Sequence, residues 1–236
     1  MESPPKQSRK LPIIIGAAVV VVIIVALVIV LGGGDDKGGS SFDAAAAHDG
    51  LRTVLDDATY DDTGYDALRV CPLGDVNDLF DAISDAIGLD PAVAEGGDLQ
   101  SAHEEGVLPA FVSCQRYAED IDAVDKGADG LYFQAILNPP RDYERYVADF
   151  AGDSSDINYD EPAEYKDGKV YLFCWDANDD DGFTGCEADW VDTTDKIALN
   201  LFIDGVDTTS AMAFTALKAV LAPMAASLAD LATPGS

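Results

Sequence analysis

The stretch Cys174–Trp190, CWDANDDDGFTGCEADW, gathers five aspartates, one glutamate, two cysteines and two tryptophans. Oxygen ligands at that density are what a hard cation such as calcium requires. An EF-hand loop takes them from positions 1, 3, 5 and 12, with a turn-forming glycine at position 6. Counted from Asp176, the frame puts Asp176, Asn178, Asp180 and Glu187 at ligand positions. Position 6, however, is Asp181, and Gly182 comes one residue late. Shifting the frame to rescue the glycine places Ala177 at position 1 and Ala188 at position 12. The flanks alternate like strands, whereas the motif needs helices. The stretch therefore reads as the acidic tip of a hairpin, and no metal ligand is assigned to it.

The four cysteines, Cys71, Cys114, Cys174 and Cys186, are even in number. Four cysteines allow three pairings. Chain order favours Cys71–Cys114 and Cys174–Cys186, one closing a long loop and the other stapling the acidic hairpin. Tetrathiolate zinc is the weaker alternative, because no C-x2-C pair occurs.

Other chemistry finds little support. The histidines are His48 and His103 alone, and neither sits in a catalytic pattern. No HExxH, GxSxG, SxxK or phosphate-cradling glycine loop is present. Two distant carboxylates could serve a glycosidase, but the sequence singles out no pair. No catalytic residue and no cofactor is assigned. Trp175, Trp190, Tyr132, Tyr143 and Tyr146 read as core or disulfide-flanking aromatics, with Phe183 as the candidate for exposure at the hairpin tip.

The elements that would position these residues follow from periodicity. In GDVNDLFDAISDAIG, Asp75 caps a helix whose stripe is Val76, Leu79, Phe80, Ile83 and Ile87, and Gly88 ends it. A short helix is expected over Phe42–Asp57 and a smaller one over Leu99–Glu105. LPAFVSCQRY and GLYFQAILN read as neighbouring strands. Pro139 and Pro140 open a helix carrying Tyr143, Tyr146, Val147 and Phe150. AGDSSDINYDEPAEYKDG reads as a long polar connection. KVYLFCW and CEADWVD form the hairpin strands, and KIALNLFID puts Ile197, Leu199, Leu201 and Ile203 on one face. A long helix, about 208–231, buries Leu217, Leu221, Met224, Leu228 and Leu231, with a kink or break at Pro223. The fold class is α+β, an antiparallel sheet packed against helices.

The N-terminal region sets the compartment. Residues 11–32, LPIIIGAAVVVVIIVALVIVLG, carry no charge, and about twenty apolar residues span a bilayer as a helix. Lys6, Arg9 and Lys10 precede the run, which places residues 1–10 in the cytoplasm and the remainder outside. A cleaved signal peptide competes with this reading, but the apolar run is long and no A-x-A site closes it. The expected organisation is a cytoplasmic tail over 1–10, an anchor over 11–32 and an acidic linker over 33–68. An extracytoplasmic domain over 69–231 and a tail over 232–236 complete it. Outside the membrane, two disulfides are the natural state of four cysteines. Of the 44 acids only Glu2 precedes residue 33, and of the 14 Lys and Arg only three do, so the outer part carries a formal −32. That charge repels nucleic acid.

The helix after VCPLGDVNDLF, the strand with Cys114, the YLFC and GCEADWV strands and the C-terminal helix give the outer part a distinctive order. In this it resembles small extracytoplasmic domains of actinobacterial membrane-anchored proteins. These include lipoproteins of unknown function and the outer sensor domains of some membrane serine/threonine kinases. The resemblance covers residues 69–231, and the chain lacks both a lipid-attachment cysteine and a kinase domain. It implies a place in the cell envelope and a binding or sensory role toward an envelope protein or wall component. A passive structural envelope component is the alternative, and a wall-active hydrolase a further one.

Overall fold

The computed structural model describes residues 42–89, 96–106, 109–117, 127–143, 145, 157–176, 183–206 and 208–232. The anchor expected over 11–32 lies outside them, as do residues 177–182 of the acidic tip. So do Tyr146, Val147 and Phe150 of the helix expected after Pro140.

Helix α1, Ala44–Asp57, starts where the Asp43 carboxylate accepts the Ala46 N–H at 3.0 Å. It buries Ala47, Leu51 and Leu55. α1 belongs to the same compact unit as the sheet, so the ordered domain begins well before residue 69, inside the expected linker. Residues 61–67 are drawn in as well, through the short strand β1, Tyr65–Ala67. Helix α2, Val76–Ile87, has the expected cap: Asp75 accepts from the N–H groups of Asn77 and Asp78, and Gly88 closes it at φ 72°. That left-handed turn costs glycine nothing.

The longest helix, α3, Ser210–Ala232, buries Leu217, Leu221, Met224 and Leu228 as expected, but Leu231 is 42% exposed. It continues through Pro223 instead of breaking there. Packing against α1, α2 and strands outweighs the one backbone hydrogen bond that proline removes. By length and composition α3 is also apolar enough to cross a membrane. Its buried stripe against the sheet accounts for that composition. The α1–α3 crossing is close: a Cβ on Gly50 would lie 1.7 Å from the Leu228 carbonyl oxygen.

The strands are β2 (Gly97–His103), β3 (Phe111–Tyr117), β4 (Gly127–Leu137), β5 (Ile157–Tyr165), β6 (Gly168–Asp176), β7 (Phe183–Asp192) and β8 (Ile197–Val206). With β1 they form one antiparallel sheet in the order β1-β2-β3-β4-β8-β7-β6-β5. Two meanders, β1–β4 and β5–β8, thus join through β4 and β8.

Two expectations are corrected. Leu99–Glu105 is not a helix: Leu99–His103 lies in β2, where seven residues pair with β3 and Ala102 is fully buried. Pairing with a neighbouring strand overrides local propensity there. The polar connection after residue 151 contains β5, whose apolar signal is weak because it is an edge strand. Pro162 and a register shift between Asp160 and Ala163 are features that an edge tolerates and that discourage further pairing.

Alternation sends Val170, Leu172, Cys174, Cys186, Ala188, Trp190, Leu131, Phe133, Ala135, Ile197, Leu199, Leu201 and Ile203 to one side, where they meet the helices in a single core. Trp190 is fully buried there. Its Nε1–H donates to the Tyr165 carbonyl at 2.7 Å, and its ring packs edge-on to Phe42 at 4.7 Å. Both disulfides form as expected. Cys71–Cys114 ties the loop before α2 to β3, and Cys174–Cys186 bridges directly opposed residues of β6 and β7. In the chain-entropy account, loops of 43 and 12 residues correspond to about 4 and about 3 kcal/mol.

Candidate functional site

The opposite face of the sheet, turned away from α1, α2 and α3, carries polar groups at its centre. Register lines up Ser101, Ser113, Gln134, Asn200, Asp189 and Tyr171 across β2, β3, β4, β8, β7 and β6. Glu187 lies two positions before Asp189 and projects from the same side of β7. An apolar row borders this line, Phe111, Ile136, Ala198 and Val191, packed with Tyr143 and Phe173. On the other flank Tyr132 and Phe202 meet at 5.1 Å between Gln115 and Glu187.

At the β2–β3 end of the line, Ser101 and Ser113 share a hydrogen bond of 2.8 Å between their hydroxyls, and Ser101 Oγ reaches His103 Nε2 at 3.1 Å. The His103 ring stacks on Phe111 at 4.2 Å, with Tyr65 edge-on at 5.3 Å. Burial lowers the proton affinity of this imidazole, so it stays neutral near pH 7. Ser101 is itself 4% exposed. The pair is closed to a substrate and reads as a satisfied polar contact.

At the centre, Asn200 Nδ2 donates to Glu187 Oε1 at 2.9 Å and to Gln134 Oε1 at 3.3 Å. Asp189 is fully buried, yet among the described residues both of its carboxylate oxygens, and Asn200 Oδ1 beside them, lack a partner at hydrogen-bonding geometry. Glu187, Tyr143 and Asn200 come near enough to Asp189 to shift its proton affinity without completing such a bond. Desolvation raises the pKa of Glu187, opposed by contacts with Asp189 and Asn200. Desolvation, then repulsion from Glu187, raises that of Asp189 well above the carboxylate range. Two carboxylates held together cannot both ionise cheaply, which is the direction of both shifts. Complete burial of Asp189 also denies it the role of general acid on a polymer, which needs contact with the scissile bond.

Of the EF-hand positions, Asn178 and Asp180 lie outside the described residues and Asp176 ends β6. Glu187, the residue needed at position 12, is instead engaged by Asn200 on the sheet. Among the described residues, no three His, Cys, Asp or Glu side chains cluster as a metal centre. His48 lies on α1 beside Asp49, its Nδ1 3.1 Å from that carboxylate. Tyr143 and Trp190 are buried as core aromatics. The side chains of Trp175 and Phe183 lie outside the described set.

Gln134, Asp189 and Asn200 went unassigned from sequence. Their signal was a polar residue at every second place within otherwise apolar strands: Asn200 inside KIALNLFID, and Glu187 and Asp189 inside CEADWVD. Alternation alone reads such residues as solvent-facing. No family model, curated protein or solved structure matches the chain.

Proposed function

We propose that this chain is a membrane-anchored extracytoplasmic domain with a binding or sensory role in the cell envelope, directed at an envelope protein or wall component. The observation that carries the binding role is the pair of exposed apolar side chains, Leu99 and Tyr117, on the face whose centre holds enclosed polar groups. Stability alone gives no reason to keep them, since an enclosed unsatisfied acceptor costs about 1–3 kcal/mol. The apolar run over 11–32, its basic flank and the two disulfides support the location. Leu99 and Tyr117, both 45% exposed, lie on the same face at β2 and β3 and offer apolar contact to a partner.

Protease added to intact cells is expected to cleave beyond residue 33 and release the domain. Full protection of the C-terminal part would overturn the topology. Cross-linking on intact envelopes tests the role: a partner captured by the wild-type chain and lost with Leu99→Glu or Tyr117→Ser supports it. An absence of partners together with hydrolysis of wall polymer by the purified protein would reverse it.

A further inference from the structure

Among the described residues, three enclosed oxygens at the centre of the second face lack a donor: Asp189 Oδ1, Asp189 Oδ2 and Asn200 Oδ1. The orientation of the Asn200 amide follows from its other half, because Nδ2 donates to both Gln134 Oε1 and Glu187 Oε1. Its carbonyl oxygen is thereby left over. Register places Asp189 directly across from Asn200, and Asp189 and Asn200 are 0% and 3% exposed. We propose that Glu187, Asp189 and Asn200 form a binding site for one calcium ion within the second face of the sheet.

The chemistry of the donor set selects the ion. All the donors are oxygens, which suit hard cations and exclude thiophilic metals. Two carboxylates in an enclosed site are neutralised by a divalent ion, whereas sodium would leave a net negative charge buried. Magnesium holds its waters and demands octahedral geometry, which a closed sheet face cannot offer. Calcium accepts about six to eight oxygens in irregular arrangement. The two carboxylates and the Asn200 oxygen would supply ligands, and the Gln134 oxygen and Tyr143 hydroxyl border them. Among the described residues, no Lys, Arg or His forms an ion pair with either acid; the groups facing them are Gln134, Asn200, Tyr143 and Tyr171. The ion joins the two carboxylates and balances their charge.

This site lies on the face whose exposed Leu99 and Tyr117 carry the binding role, but ion titration tests it without any partner. Calorimetry of the full-length protein in detergent, at ionic strength held with choline chloride, is expected to give a one-to-one calcium isotherm. At a hundred times Kd the Tm should rise by about 5–10 °C, with magnesium giving less. The near-isosteric Asp189→Asn and Glu187→Gln variants should each weaken binding by about tenfold or more, with near-ultraviolet dichroism of the buried Trp190 unchanged. Asp176→Asn should leave binding intact. No saturable isotherm, or one kept in both sheet variants, overturns the site, and loss with Asp176→Asn alone assigns the ion to the hairpin tip instead. Calcium binding refuted while partner capture persists removes this site and keeps the binding role; the converse result does the reverse.

Discussion

Toward the helices, strands β4, β6, β7 and β8 present Phe133, Leu172, Ala188, Trp190, Leu199 and Leu201, and the buried charge there, Arg116 on β3, is provided for. Its Nη1 donates to Asn77 Oδ1 at 2.8 Å and its guanidinium lies over the Phe80 ring at 5.3 Å. On the other side, strands β7 and β8 bury Asp189 and Asn200 beside a half-buried Glu187 and leave three oxygens without a donor among the described residues. The contrast recurs within one strand. Asp192, at the end of β7, is 7% exposed, but it accepts the N–H groups of Thr194, Lys196 and Ile197 and the Thr194 hydroxyl. Burial of a carboxylate is thus not what distinguishes Asp189. The lack of donors is.

The helix side is the more easily broken. Gly50→Ala should destabilise the domain by about 3 kcal/mol or more, because the new methyl would overlap the Leu228 carbonyl and force α1 away from α3. Urea unfolding followed by tryptophan fluorescence measures this, and a loss below about 1 kcal/mol would mean that the crossing is not close-packed. The satisfied acid comes next. Asp192→Ala removes the acceptor for three backbone N–H groups in the β7–β8 turn and should cost roughly 2 kcal/mol, read by the same unfolding midpoint.

The unequal legibility of the two faces has the same origin. The helix side was readable because apolar periodicity reports burial directly: the stripe of α2, the alternation of β8 and most of the stripe of α3 lie where the pattern puts them. Asp75 and Gly88 mark the α2 ends because capping is local chemistry. Leu99–His103 and β5 were misread because pairing in their case is decided by a partner strand, which a single segment does not contain. The second face was illegible for a different reason. Asn200 and Asp189 look like solvent-facing residues of a half-buried strand, and only the three-dimensional register shows that they meet each other and Gln134 in a closed environment. The acidic tip drew attention through density of charge, while the unusual electrostatics arise a few residues further along β7.

The smallest expected effect separates the two acids most sharply, through its dependence on pH. The pKa of Asp189 is raised in the folded state by desolvation and by Glu187. Below the ordinary carboxylate value both folded and unfolded chains hold the proton, and the contribution of Asp189 to stability is fully present. As pH rises the unfolded chain ionises first, so stability falls until pH passes the folded value. For Asp192 burial acts upward, but the bonds from Thr194, Ile197 and Lys196 hold the folded pKa below the ordinary value. Its contribution is present above the unfolded pKa and lost as pH falls through the folded one. Asp189→Asn keeps the shape, cannot ionise and places an amide donor beside Asn200 Oδ1. In calcium-free buffer it should therefore leave stability near pH 4 almost unchanged and raise it near pH 8 by on the order of 1 kcal/mol. Asp192→Asn should instead flatten the acid limb of the stability curve. Unfolding midpoints of both variants across pH 3–9 test the assignment, and a wild-type curve whose alkaline decline survives Asp189→Asn would place the titrating group elsewhere.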